Sequence, residues 1–259
     1  MTLLELDRVN KSFGGLLAVC GVTFKVHAGQ IKALIGPNGA GKTTIFNLLS
    51  GIESVSSGSI TFDGLEITRK PPHVIASLGL ARTFQTVRLF GKMTVLQNVM
   101  VGRHCRSKSE VLATGLLLPS ALREEREIGE KSMELLRFVG LGHRASDRAH
   151  DLPYGQQRLL ELARSMATEP KLLLLDEPAA GLNDAETEVL SDLIYRIREQ
   201  GITILLVEHD MGLVMDISDE VMVLDHGEKI AEGPPDVVSN DERVIEAYLG
   251  GGLKSAQAG

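Results

Sequence analysis

The sequence predicts an α/β fold: a mostly parallel core sheet, an antiparallel β subdomain and an inserted helical subdomain. Three observations carry this expectation. Short apolar runs at 31–35, 172–175 and 203–207 have the length and composition of strands buried on both faces. Helical patterns separate them, and strands alternating with helices argue for parallel pairing. Residues 94–168 have a different texture, with Met133, Leu135, Leu136, Phe138 and Val139 on one helical face.

Taken in order, residues 3–9 alternate apolar and polar and read as a strand. Asn10–Gly15 reads as a turn carrying Phe13, and Ala18–Val26 alternates again. A hairpin follows over 58–64, with Asp63-Gly64 as its turn, and Pro71-Pro72 starts a helix through Leu78. Thr94 caps a helix carrying Val95, Val99 and Met100. A Leu-rich stretch broken by Pro119 precedes the charged run Arg123–Glu127, a solvated helix face. The core resumes with the strand 172–175, a helix over 184–199, the strand 203–207, a helix over 211–217 and the strand 221–224. The expected divisions are 1–93, the N-terminal part of the core with the β subdomain; 94–168, the helical subdomain; 169–249, the C-terminal part of the core; and 250–259, a disordered tail.

The chain has 259 residues and a formal net charge of −7. That balance argues against nucleic acid held by a broad basic surface. Cys20 and Cys105 lack metal-ligand spacing and read as free thiols in a reducing compartment. The N-terminus meets acid at once and does not read as a signal peptide. No apolar run reaches the ~18 residues of a membrane span. A role at the cytoplasmic face of a membrane therefore requires a partner.

The most informative stretch is Gly36-Pro37-Asn38-Gly39-Ala40-Gly41-Lys42-Thr43, which fits G-x-x-x-x-G-K-[ST] at every fixed position. A strand precedes it, and a helix from Thr44 follows. Glycines let the backbone approach an anion, and successive N–H groups at a helix start form its cradle. Lys42 suits β/γ-phosphates, and the Thr43 hydroxyl suits Mg²⁺. The expected ligand is a nucleoside triphosphate.

A second motif ends the strand 172–175 in Asp176-Glu177. Ligands of parallel sheets bind at that strand end. Buried Asp176 needs a cation, which Mg²⁺ supplies, and Glu177 is placed to take a proton from water. Gln85 and His209 are polar residues that a core does not need, and His209 stands at a strand end. Gly155-Gln156 before a helix is a second anion device, more than a hundred residues from the first. One triphosphate does not need both from one chain, whereas a head-to-tail pair uses both.

This ordered set resembles the ATP-binding cassette of ABC transporters, a P-loop NTPase fold, to about Leu249. The resemblance implies a sandwich dimer, with each ATP between one subunit's phosphate loop and the other's signature. It implies that Phe13 stacks on adenine and that residues 36–44, through Thr44, hold the phosphates. Thr43, Gln85 and Asp176 are then the Mg²⁺ ligands and Glu177 the general base. His209 contacts the γ-phosphate, Lys42 supports the same charge, and Gly155 and Gln156 complete the neighbour's site. Two places depart from the common pattern. Pro153 and Tyr154 stand where Ser-Gly is usual, so a hydroxyl donor to phosphate is lost. Asn183 stands where Asp is usual, so a charge is lost.

Tyr154-Gly155-Gln156-Gln157-Arg158, Glu177–Asn183 and Ala81–Gln85 with Val87–Phe90 look like the G-type ATPase subunits of branched-chain amino-acid importers. That likeness implies two transmembrane permease subunits, a second ATPase subunit and an extracytoplasmic solute-binding protein. An exporter ATPase of the lipopolysaccharide-export type and a soluble, non-transport ABC ATPase are the alternatives.

Overall fold

The computed structural model describes residues 1–104 and 119–255, without the side chains of 104, 119–122 and 249–255. Cys105, the Leu-rich stretch up to Leu118 and residues 256–259 lie outside the described residues.

The core sheet is built on β3 (Ile31–Ile35), β7 (Leu172–Asp176) and β8 (Thr203–Val207). Every residue of the three strands is buried. Runs of Ile, Leu and Val serve there because both faces are covered and no polar face is needed. With β6 (Leu80–Arg82), β9 (Glu220–Asp225) and β10 (Glu228–Gly233) the sheet order is β10-β9-β3-β8-β7-β6. All neighbours are parallel except the hairpin pair β9–β10. β6 was not expected. Three residues carry no periodic signal; pairing of Leu80, Ala81 and Arg82 with Leu172, Leu173 and Leu174 makes them a strand.

A second sheet, antiparallel, has the order β2-β1-β4-β5, with β1 Thr2–Phe13, β2 Leu16–His27, β4 Ser57–Phe62 and β5 Leu65–Glu66. The expected turn at Asn10–Gly15 is shorter than read. β1 continues to Phe13, and register shifts around Val9 and Lys11 keep it paired with β2. Asp63 and Gly64 turn β4 into β5 with φ of 49° and 75°, the left-handed pair of a tight hairpin. Leu4, Leu6, Phe24 and Phe62 of this sheet share one apolar cluster with Ile45 and Phe46 of α1 (Lys42–Leu49).

The opposite face of the core sheet shares its cluster with α3 (Val95–His104), α4 (Pro119–Phe138) and α5 (Tyr154–Met166), through Val99, Leu136 and Leu160. α2 (Pro72–Leu78) precedes β6. Thr94 caps α3: its hydroxyl accepts from Gln97 N–H, and the Gln97 amide oxygen accepts from Thr94 N–H. Arg123, Glu125, Arg126 and Glu127 are exposed on α4, as expected of a solvated face. α6 (Asp184–Glu199) and α7 (Met211–Ile217) follow β7 and β8, and α8 (Pro235–Ser239) follows β10. The last helix is α9 (Glu242–Ser255), and the expected disordered tail falls partly on it and partly outside the described residues. Val244 is buried in the core cluster, and a helix anchored there runs on through three glycines.

Candidate active site at the C-terminal edge of the core sheet

Parallel pairing puts every strand's C-terminal end on one edge, which is where the polar residues collect. β3 runs into the glycine loop, β6 into Gln85, β7 into Asp176-Glu177 and β8 into Glu208-His209. Asp176 is paired with Val207 in register, so Glu177 and Glu208 leave adjacent strands side by side.

The glycine loop is held shut around its own lysine. The Lys42 ammonium donates to Gly36 O (2.6 Å) and Pro37 O (3.0 Å). Burial pulls its pKa below the ordinary lysine value, and the charges of Glu177 and Asp176 oppose that pull. Gly36 cannot be another residue: a Cβ there would stand 2.1 Å from Leu224 O, with φ at +145°. Gly41 caps α1 with φ 103°. Asn38, Gly39 and Thr43 are exposed on the loop.

Asp176 is 4% exposed and does meet a cation, but that cation is Arg82. The guanidinium reaches Asp176 Oδ2 at 2.7 Å, Asn47 Oδ1 at 2.8 Å and Ser50 Oγ at 3.0 Å. It lies between the Phe46 and Phe84 rings, 5.6 and 5.4 Å from their centroids. Besides the expected Mg²⁺, Asp176 thus has a balancing charge within the chain, from a strand too short to carry a periodic signal.

Glu177 sits between the two polar residues singled out earlier. Gln85 Nε2 donates to one carboxylate oxygen (2.7 Å), and His209 Nε2 lies 2.8 Å from the other. Glu177 has φ +48°, a conformation a side chain rarely adopts, where the chain turns out of β7. Lys42, Gln85, Asp176, Glu177 and His209 thus form one cluster. Phe13 is at the tip of the β1–β2 hairpin, 45% exposed, with the Lys11 ammonium 4.6 Å from its ring centroid.

Gly155 and Gln156 stand apart from this cluster. Gly155 lies against Glu186, and Arg144 donates to the Gln156 amide oxygen at 3.2 Å. Pro153 is the N-cap of α5, with no side-chain cap bond. The unusual Tyr154 has a packing role: its ring lies on Gly181, where a Cβ would come within 3.1 Å, and under the Arg158 guanidinium.

Two residues that the sequence reading missed tie α5 to the Gln85 segment. Buried Arg158 donates to Phe84 O (2.9 Å) and Gln85 O (2.5 Å). Glu161, 1% exposed, accepts from Arg88 N–H at 3.3 Å. Burial pushes the Glu161 carboxyl above the usual range, against Arg88 N–H, Arg164 and Arg158. Burial likewise lowers Arg164, so desolvation outweighs pairing on both sides. The available signal was a charged triplet at helical spacing, 158, 161 and 164, set among Leu159, Leu160, Leu162 and Ala163.

A strand–glycine loop–helix with a buried lysine, facing a carboxylate held by an amide and an imidazole, is machinery for a phosphoanhydride and a water. The ABC transporter profile matches residues 19–180, and the chain is 48% identical over 249 residues to the high-affinity branched-chain amino acid transport ATP-binding protein BraF of Pseudomonas aeruginosa. The chain belongs to the ABC transporter family. The BraF match covers 96% of this chain and 98% of that protein. LivG of Escherichia coli, of the same description, is 45% identical with the same coverage. Residues 228–254 match a second profile, the branched-chain amino acid ATP-binding cassette transporter. The solved ADP conformation of MJ1267, an ATP-binding cassette of an ABC transporter, superimposes with a TM-score of 0.85. It is 33% identical and covers 96% of this chain and 99% of its own. A nucleotide-free cassette gives 0.83 at 31% identity, with the same coverage. The fold is that of the ABC ATPase cassette, and its reaction class is ATP hydrolysis.

Proposed function

We propose that this chain is the ATP-hydrolysing subunit of an importer for branched-chain or related amino acids. The observation that carries the reading is the identity of 45–48% over 96% of the chain to branched-chain amino acid transport ATP-binding proteins. Among the described residues no helix is long and apolar enough to cross a membrane. In this reading the transport path belongs to two separate permease subunits, which hold this chain peripherally at the cytoplasmic face. A solute-binding protein on the other side delivers the amino acid. A cavity of about 530 Å³ beside Gln85, lined by Ile75, Leu80, Phe84, Phe90 and Val101, supports docking of a permease helix. Phe90 is 48% exposed there.

In this reading Phe13 stacks on adenine, and the loop from Gly36 to Thr44 holds the phosphates. Gly155 and Gln156 of a second ATPase subunit close over them. Among the described residues no three His, Cys, Asp or Glu side chains converge on a metal position. The Thr43 hydroxyl, the Asp176 carboxylate and the Gln85 amide oxygen are hard oxygen donors, the type that Mg²⁺ takes alongside phosphate and water. When bound, Mg²⁺ supplies positive charge to the phosphate oxygens. Lys42 and His209 stabilise charge on the transferring group, and Glu177 orients water and accepts its proton.

The test is uptake of radiolabelled leucine, isoleucine and valine in cells lacking this chain. The intact chain restores uptake and Glu177→Gln does not. Restored uptake of none of the three, with ATPase activity intact, would reject the solute assignment.

A further inference from the structure

The turns after β7 and β8 carry the Glu177–His209 pair, and a third carboxylate stitches these turns together. Glu208 is 3% exposed. Its Oε1 accepts from Ala179 N–H at 2.7 Å. Its Oε2 accepts from His209 N–H at 2.8 Å and from Asp210 N–H at 3.3 Å. One oxygen thus serves the turn two residues beyond Glu177, and the other serves the backbone of His209 itself. Asp210 in turn caps α7 through Leu213 N–H at 3.1 Å.

We propose that Glu208 is a positioning residue for hydrolysis, setting the His209 imidazole against the Glu177 carboxylate. The proposal rests on the reading of Glu177 and His209 given above. Glu177 and Glu208 leave adjacent strands at one level. Glu177 points to Gln85 and His209, whereas Glu208 turns into the protein. Only a carboxylate of this length serves both turns, because it has two acceptor oxygens and no donor. A glutamine of the same shape presents an NH₂ group to one set of backbone N–H donors. An aspartate keeps the local bonds to His209 and Asp210, as in an Asx turn, but falls short of Ala179. Left-handed Glu177 makes this bracing matter, since a strained turn holds its shape only when its surroundings over-determine it.

The experiment measures kcat and KM for Mg-ATP in Glu208→Asp and Glu208→Gln, with Glu177→Gln as reference and thermal midpoints for all. The expected order of kcat is parent, Asp, Gln, with Gln lowered about tenfold or more and KM within about twofold. Parental kcat in both Glu208 variants overturns the proposal while Glu177→Gln is inactive, and so does a loss confined to KM. Turnover in Glu177→Gln at the parental rate would instead reject the reading on which the proposal rests. If Glu208→Gln does not fold, Glu208→Asp decides: a lower kcat at unchanged KM and thermal midpoint supports the role, and an unchanged kcat rejects it.

Discussion

α1 and α5 both bring a glycine to a helix start, but differently: a glycine loop runs into α1, whereas Gly155 and the expected Gly-Gln device lie inside the first turn of α5, behind Pro153. Their surroundings are opposite. At α1 the loop holds its own Lys42 and faces Asp176, Glu177, Gln85 and His209, which follow neighbouring strands of the same chain. At α5 no such set gathers: Pro153 gives no side-chain cap, Gly155 is buried against Glu186, and the Gln156 amide oxygen is taken by Arg144. In the sandwich proposed above, the α1 end is the site and the α5 end is the lid over a neighbour's site. The two are nevertheless wired together, because Arg158 and Glu161 of α5 hold the backbone of 84–88.

The largest expected effect breaks the chemistry at the α1 end alone. Glu177→Gln should lower kcat by roughly 10²- to 10⁴-fold with Mg-ATP affinity retained, the range for losing a general base. Next, the two ends should fail differently. Lys42→Ala should weaken Mg-ATP binding to the isolated chain by roughly 10- to 100-fold in calorimetry, the value of a charge-assisted contact. Gly155→Asp should leave that binding at the parental level and stop turnover. Equal loss of binding in both variants would erase the distinction between site and lid.

Arg82→Met sharpens the comparison through stability. It leaves Asp176 buried without its guanidinium partner, and breaking such a pair costs about 3–5 kcal/mol. Urea unfolding of the nucleotide-free protein measures this, and a variant as stable as the parent contradicts it. The smallest effect lies in the link between the two ends. Glu161 holds its proton more tightly folded than unfolded. Its contribution is therefore full below the ordinary carboxylate value and is lost as pH rises through the raised folded value. Relative to Glu161→Gln, the parent should lose urea stability from about pH 4 upward. A constant difference between the two proteins across that range would contradict it.

Much of this was legible because long signals are physical. All-apolar runs require a sheet covered on both faces, so β7, β8 and the helix 184–199 appear where the residues put them. The glycine loop declares its own geometry, since no other residue tolerates Leu224 O at Gly36. What escaped depends on distant partners. β6 is a strand only because β7 runs beside it. Arg82 and Glu208 are a single arginine and a single glutamate until the sheet brings Asp176 and Ala179 to them.

The central claim is that the chain carries one half of each ATP site. Sedimentation equilibrium of Glu177→Gln tests it directly, with and without ATP. ATP should shift the protein from the 28.0 kDa of one chain to twice that mass, and Gly155→Asp in the same background should abolish the shift. A Glu177→Gln protein that binds ATP and stays at one-chain mass, or a Gly155→Asp double variant that dimerises equally well, would contradict the account.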